Sequence, residues 1–176
     1  MKFEVRGLKY LREALDPKRY KKIATRTVNK LGAQAKTAVN RAVRGTYNIS
    51  RERLDAGLYL RRATWENPVF LLKFKGRSPG LQHFDARQTR RGVTVKVKKE
   101  GGRKVVQGAF MPASIEGVYK REGAARLPIK RLYGPDIVGM VNEVGIDSVQ
   151  KVLDENAERI LSHEFDFEMG KNNRSV

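Results

Sequence analysis

The chain has 176 residues, of which 37 are Lys or Arg and 19 are Asp or Glu, so its formal net charge is +18. This length fits one domain, and the 40% of hydrophobic residues are enough for a core without disulfide or metal staples. The absence of cysteine excludes disulfide scaffolds, thiolate zinc sites and cysteine nucleophiles, and two histidines leave little scope for histidine-based chemistry. No stretch approaches the roughly 18 apolar residues of a membrane helix, and the N-terminus lacks the apolar run of a signal peptide. We therefore expect a soluble, basic, non-enzymatic protein without cofactor, metal or membrane contact.

The charge is distributed unevenly along the chain. Residues 1–135 hold 33 Lys and Arg against 10 Asp and Glu, whereas residues 136–176 hold 4 against 9. The two balances are therefore +23 and −5. Such asymmetry indicates either a body that faces nucleic acid and carries an acidic appendage, or a protomer whose acidic end docks on a basic neighbour.

The clearest predicted element is a long N-terminal helix. Asp16 suits the N-cap and Pro17 the first helical position, and Gly45 is a typical stop. Between them, apolar residues recur every three or four positions, and the other faces are basic. A short strand at Phe3–Val5 and a helical turn from Gly7 are expected before it.

The middle of the chain predicts antiparallel strands. Ser50 caps a short helix, and strands are expected over 58–65, 69–74, 93–97, 105–110 and 115–120. Residues 76–92 are rich in turn formers and form either an ordered excursion or a mobile loop. The pair Gly101-Gly102 predicts a tight type I′ hairpin turn, because that turn needs positive φ at both central residues.

The last third predicts two helices and an acidic tail. Gly134-Pro135-Asp136 begins the first helix, which ends at Gly145, and Asp147 begins the second. The apolar pattern is lost after residue 162. The expected organisation is one α+β domain over 1–162, with a long N-terminal helix, an antiparallel sheet and C-terminal helices, followed by a polar, acidic tail over 163–176.

Basic clusters are the main functional signal. Their spacing suits sequence-independent phosphate contacts, and the competing interpretation is a solvated hairpin. The candidate DNA or phosphate contacts are Lys22, Arg26, Lys30, Arg87, Arg90, Arg91, Lys96, Lys98, Lys99, Arg103 and Lys104. The candidate contacts to a neighbouring subunit or partner are the acidic residues Asp154, Glu155, Glu158, Glu164, Asp166 and Glu168.

His83 and Asp85 are close enough in sequence to be candidates for catalysis or metal binding. Strand alternation over His83-Phe84-Asp85 would place His83 and Asp85 on one face, where a hydrogen bond between them is expected. No second histidine or cysteine lies nearby, so no catalytic or metal role is assigned.

A series of short motifs in the second half carries a family resemblance. Gly108-Ala109-Phe110 is followed by Tyr119-Lys120, then by Arg126-Leu127-Pro128-Ile129, then by Gly134-Pro135 at the start of a helix. Together with the Ala-rich basic helix and Leu58-x-Leu60-Arg61-Arg62-Ala63-Thr64, this order resembles the prophage minor tail protein Z family. The resemblance spans about residues 7–162.

That resemblance implies a virion structural protein, a tail completion protein of lambda-type long-tailed phages. It would form a homo-oligomeric ring, a hexamer to match the tail tube, at the head-proximal end of the tail or in the neck. It would be made in the host cytoplasm, join the tail to the head and lie near the DNA channel. Its implied partners are the tail tube or tail terminator protein, the head–tail connector proteins and, nonspecifically, genome DNA. The alternative is a non-phage, ribosome-associated or sequence-nonspecific nucleic-acid-binding protein.

Overall fold

The fold belongs to the predicted α+β class. The computed structural model describes residues 3–5 and 7–170, which form four α-helices and eight short β-strands. The helices are α1 (Leu8–Ala14), α2 (Pro17–Thr46), α3 (Arg51–Ala56) and α4 (Ile137–Gly170). The strands are β1 (Leu58–Arg61), β2 (Leu71–Phe74), β3 (Arg87–Thr89), β4 (Gly92–Val95), β5 (Lys104–Gln107), β6 (Ala109–Phe110), β7 (Tyr119–Arg121) and β8 (Ile129–Arg131).

Helix α2 begins where the sequence predicts. The carboxylate of Asp16 accepts hydrogen bonds from the backbone N–H groups of Lys18 (3.0 Å) and Arg19 (3.4 Å) and so satisfies donors that the first helical turn leaves free. The predicted apolar stripe is the buried face of the helix: Ile23, Ala24, Leu31, Ala35, Val39 and Val43 are all buried. The helix ends at Thr46, one residue beyond the predicted stop.

The chain divides into two compact units, here called unit 1 and unit 2. Unit 1 comprises the described residues of Met1–Val39, Tyr59–Lys73 and Ile146–Val176, and unit 2 comprises Asn40–Leu58 and Phe74–Gly145. In unit 1, strands β1 and β2 form a two-stranded sheet. Asn29 of α2 holds the chain after β1, because its side-chain amide donates to the Ala63 carbonyl (3.0 Å) and accepts from the Ala63 N–H (2.9 Å).

Unit 2 contains two three-stranded antiparallel sheets, in the orders β3-β4-β5 and β6-β7-β8. Val93 and Val95 of β4 point into its core, while Thr94 between them is only half-buried. The segment 76–92 is an ordered excursion with a 3₁₀ turn at Leu81–His83, and it supplies the fully buried Phe84. Val118 and Met140 complete this interior.

Two predicted features of the strands are wrong. Residues 96–103 form an eight-residue connection between β4 and β5, and neither Gly101 nor Gly102 has positive φ, so no type I′ turn forms. The reason is tertiary: Asn48 N–H donates to the Val97 carbonyl (2.8 Å) and Lys99 N–H to the Thr46 carbonyl (2.8 Å), which ends the β4–β5 ladder early. Residues 3–5 form no strand, and β3 and β8 were not predicted.

The C-terminal third also differs from its prediction. Asp136 caps the helix start by accepting from the Gly139 N–H (2.9 Å), but α4 then runs without a break to Gly170. Gly145 is buried within it, and burial of the flanking apolar stripe outweighs the helix penalty of one glycine, about 1 kcal/mol. Residues 163–170, predicted as tail, are its last two turns; residues 171–176 lie outside the described part of the chain.

Candidate nucleic-acid interface

Three basic candidates of α2 are paired within unit 1. The Glu168 carboxylate lies 3.2 Å from Lys22 Nζ and 2.9 Å from Arg26 Nη1, and Glu164 pairs with Lys30. The carboxylates are 7% and 3% exposed and the three cations 34%, 34% and 51%, so the seam between α2 and α4 is buried on its acidic side and half-exposed on its basic side. Burial alone would raise the pKa of the Glu168 carboxyl, but the hydrogen bonds from Lys22 and Arg26 outweigh it and hold that pKa below its ordinary value.

This seam corrects the prediction for two acidic candidates. Glu164 and Glu168 were expected in a polar tail, in contact with a neighbouring subunit or partner, and they are instead buried against α2. Their spacing of four residues places both on one side of α4, opposite the equally spaced cations Lys22, Arg26 and Lys30. The side chains of Asp154, Glu155, Glu158 and Asp166 are exposed, and their contact with a neighbour stays a prediction.

In unit 2, Asp85 forms ion pairs with two more basic candidates, Arg87 and Arg103. Its Oδ1 lies 3.3 Å from Arg87 Nε, its Oδ2 pairs with Arg103, and its backbone carbonyl accepts from Arg103 Nη1 (2.8 Å). The hydrogen bond from Arg103 lowers the pKa of the Asp85 carboxyl below its ordinary value.

The predicted hydrogen bond between His83 and Asp85 is wrong. His83 lies in the 3₁₀ turn and Asp85 adopts a left-handed φ of 49°, so the two residues do not alternate along a strand. His83 instead contacts the side-chain amide of Gln82 (3.3 Å).

Lys98 is engaged by a buried tyrosine and a glutamate. Glu143 of α4 accepts hydrogen bonds from the Tyr47 hydroxyl and the Lys98 ammonium, and that ammonium lies 5.4 Å from the centre of the Tyr47 ring. Lys98 and then Tyr47 lower the pKa of the Glu143 carboxyl, while burial raises the pKa of Tyr47. The ion pair with Glu143 compensates the charge of Lys98, and the cluster holds the β4–β5 connection in place.

The remaining five basic candidates have no carboxylate partner among the described residues. Arg90 and Arg91 form the exposed turn between β3 and β4, Lys99 is exposed in the β4–β5 connection, and Lys104 is exposed at the start of β5. Lys96 is half-buried. Within residues 3–5 and 7–170, none of these five forms an ion pair with a carboxylate. The structure therefore separates the eleven candidates into six compensated cations and five uncompensated ones.

Two cations that the sequence did not single out lie opposite one another in unit 2. Lys120 of β7 pairs in antiparallel register with Lys130 of β8, and both are exposed. A signal was present in the tripeptides Tyr119-Lys120-Arg121 and Ile129-Lys130-Arg131, which share an apolar–Lys–Arg pattern, but their pairing depends on a strand that was not predicted.

The motifs behind the family resemblance lie in unit 2. Gly108 has a left-handed φ of 71° and links β5 to β6, which is formed by Ala109 and Phe110. Arg126 and Pro128 lie in the connection that leads to Ile129 at the start of β8. Gly134 and Pro135 precede α4, and a side chain at Gly134 would collide with the Phe84 ring, 2.2 Å away.

Comparison with known proteins adds no identification. No protein-family model, no curated protein and no solved structure matches this chain. The described residues contain no group of three or more His, Asp or Glu side chains placed to hold a metal ion. No helix in the described part of the chain combines the length and apolar character needed to span a membrane. The resemblance to the minor tail protein Z family therefore stays a prediction from motif order.

Proposed function

We propose that this protein is a structural tail completion protein of a long-tailed phage, assembled as a closed ring of identical subunits at the head-proximal end of the tail. The observation that carries the proposal is the two-stranded sheet of unit 1. A sheet of two strands has two open edges, and a two-stranded hairpin is only marginally stable by itself.

Large apolar side chains accompany those open edges. Tyr59 of β1 is 51% exposed, and Trp65 and Val69, in the segment that joins β1 to β2, are 53% and 51% exposed. Exposed aromatic residues beside an unpaired edge are suited to burial against another subunit. When that contact is head-to-tail and its rotation closes, a ring results.

The order of the family motifs supports a phage role for such a ring. In that role the partners are the tail tube or tail terminator protein on one side and the head–tail connector proteins on the other, with the genome passing close by. The uncompensated cations of unit 2 are suited to that surrounding, because they can contact phosphates without reading sequence.

Native mass spectrometry of the purified protein and of tails that contain it tests the ring. We expect a closed oligomer, six-fold if it matches the tube, for the parent chain and for the control Tyr10→Glu, which alters an aromatic residue that is 76% exposed in α1. Tyr59→Glu and Val69→Lys should abolish the oligomer, since each places a charge beside the open edge.

Two outcomes would overturn the proposal. One is a strict monomer within purified tails. The other is co-sedimentation with ribosomes and not with tails, which would instead support the non-phage alternative of a ribosome-associated protein.

A further inference from the structure

We propose that Arg90, Arg91, Lys120 and Lys130 form a phosphate strip, a continuous site for the backbone of duplex DNA. The inference rests on the proposed function, which brings the protein next to the genome, and it names the contact surface. It replaces the three candidate cations of α2, Lys22, Arg26 and Lys30, whose charges are compensated by Glu164 and Glu168.

The pair Lys120 and Lys130 is the centre of the phosphate strip. Directly opposed residues of an antiparallel pair have Cβ atoms about 4.5–5.5 Å apart, and like charges in such a pair are destabilising. Neither lysine forms an ion pair with a described carboxylate, and Glu116 and Glu122, the acids nearest to Lys120 in sequence, are exposed and pair with none of the four cations. An anion bound between the two lysines would remove their repulsion.

Strand register connects this pair to the arginine turn. Gly92, which follows Arg91, pairs with Gln107 of β5, and two residues later Ala109 pairs with Lys120. Strands β4 and β6 are also in direct contact. Hydrogen-bonded strands lie about 4.8 Å apart and a strand advances about 3.3 Å per residue, so this route through β5, β6 and β7 keeps the four cations within roughly 25 Å. Duplex DNA advances about 3.4 Å per base pair, so that length covers about seven phosphates of one strand.

The chemistry of the two sheet faces favours duplex DNA over unpaired bases. Phe110 and Tyr119 pair with one another, with ring centres 6.4 Å apart, and they alternate with Ala109 and Lys120 along β6 and β7. The aromatic rings therefore belong to the face opposite the lysines, where Arg121 already lies 5.8 Å from the centre of the Phe110 ring. Single-strand binding needs aromatic rings on which bases can stack beside the cations, and the described residues on the lysine face include none, whereas duplex backbone needs only the charges.

The experiment measures binding of the full chain to a labelled mixed-sequence duplex of about 20 base pairs by fluorescence anisotropy, over roughly 50–200 mM salt. For the parent we expect affinity to fall steeply with salt. Each lost phosphate contact should reduce the slope of log K against log salt by about 0.9, so Lys120→Gln with Lys130→Gln should reduce it by about 2. Arg90→Gln with Arg91→Gln should have the same effect.

The matched control is Lys18→Gln with Lys21→Gln, which removes two exposed charges of unit 1 that have no ion pair among the described residues. This control should leave the slope unchanged. An equal fall in the control would mean that net charge alone drives binding, and it would overturn the phosphate strip. Salt-insensitive binding, or no binding by the parent, would also overturn it.

Native mass spectrometry of the same samples separates this inference from the proposed function. If rings are intact but the slope of log K against log salt does not depend on the phosphate-strip residues, the proposed ring is supported and the phosphate strip is wrong. A strip-dependent slope without rings would support the strip and count against the tail role. The two lysine substitutions should not lower the melting temperature, because they relieve repulsion, and so loss of folding would not account for weaker binding.

Discussion

Gly32 lies in α2 where the ring of Phe70 occupies the space that any side chain at this position would need. A Cβ atom there would lie 2.3 Å from Phe70 Cγ, far inside van der Waals contact. Gly45 in the same helix has nothing within 4 Å of the corresponding position. The same residue type therefore has a packing role at one position and none at the other.

These two glycines predict opposite effects of one substitution. Gly32→Ala should lower the free energy of unfolding by about 1–3 kcal/mol, because the Phe70 ring must leave its site and overpacking outweighs the gain in helix propensity. Gly45→Ala should raise it by about 0.5–1 kcal/mol, because only the propensity gain remains. Urea unfolding measures both, and two changes of the same sign would contradict the packing argument.

At the scale of elements, the seam between α2 and α4 joins residues that are far apart in the chain. Arg26 and Glu168 are separated by 142 positions and meet at 2.9 Å. Removing a buried carboxylate breaks its hydrogen bonds and leaves half-exposed cations without their partner, so the seam stabilises unit 1 only while it is complete.

Glu168→Ala should therefore destabilise the protein by about 2 kcal/mol, since hydrogen bonds to a buried carboxylate are lost and Lys22 and Arg26 remain. The control is Asp166→Ala, which removes the same charge two residues earlier from an exposed side chain and should change stability by less than about 0.5 kcal/mol. Thermal or urea unfolding compares the two, and equal effects would contradict the seam.

The loss of stability caused by Glu168→Ala should depend on pH. Because the pKa of Glu168 is lowered in the folded protein, its contribution to stability is fully present above the ordinary Glu pKa of about 4.3 and is lost as the pH falls through the lowered value. The difference between parent and Glu168→Ala should therefore be constant near neutral pH and shrink below about pH 4. A difference that does not vary with pH would contradict the ionic origin.

At the scale of the whole molecule, ion pairing leaves the net charge of +18 unchanged and decides which cations are free to contact an anion. Glu164 and Glu168 compensate Lys22, Arg26 and Lys30 of α2, and Asp85 and Glu143 compensate Arg87, Arg103 and Lys98 in unit 2. The exposed acids of α4 include Asp154, Glu155 and Glu158. Their intrachain contacts are local, from Gln150 to Asp154 (2.8 Å) and from Lys151 to Glu155 (3.9 Å).

We expect these three acids to set the salt dependence of assembly onto tails. Their replacement by Asn or Gln should slow assembly at low salt and flatten its salt dependence, because exposed pairs are worth only about 0–1 kcal/mol each and act on register and association rate. Assembly kinetics across a salt series measure this. Kinetics identical to the parent at every salt concentration would show that this face of α4 is only solvated.

Local signals predicted a large part of the fold. Helix α2 was predicted from Asp16, Pro17 and the apolar stripe that recurs every three or four residues. This was possible because capping and helical periodicity depend on residues that are close together in the sequence. Ser50 predicted α3 in the same way, since its hydroxyl accepts from the Arg53 N–H (3.4 Å). The sequence placed Arg90 and Arg91 in the turn-rich segment 76–92, and the structure resolves that end of the segment as the exposed turn between β3 and β4.

Only the tertiary structure decided which charges are compensated and which strands are paired. Gly145 lies inside a helix because the burial of its flanking residues outweighs its low helix propensity. The β4–β5 connection is long because it forms hydrogen bonds with the end of α2 and the residues that follow it. Glu164 and Glu168 became buried partners of α2, and Lys120 came to face Lys130, through contacts between distant segments. Sequence determines each residue's charge and local preference, whereas Coulomb attraction and burial depend on which segments meet in space, and that is a property of the folded chain alone.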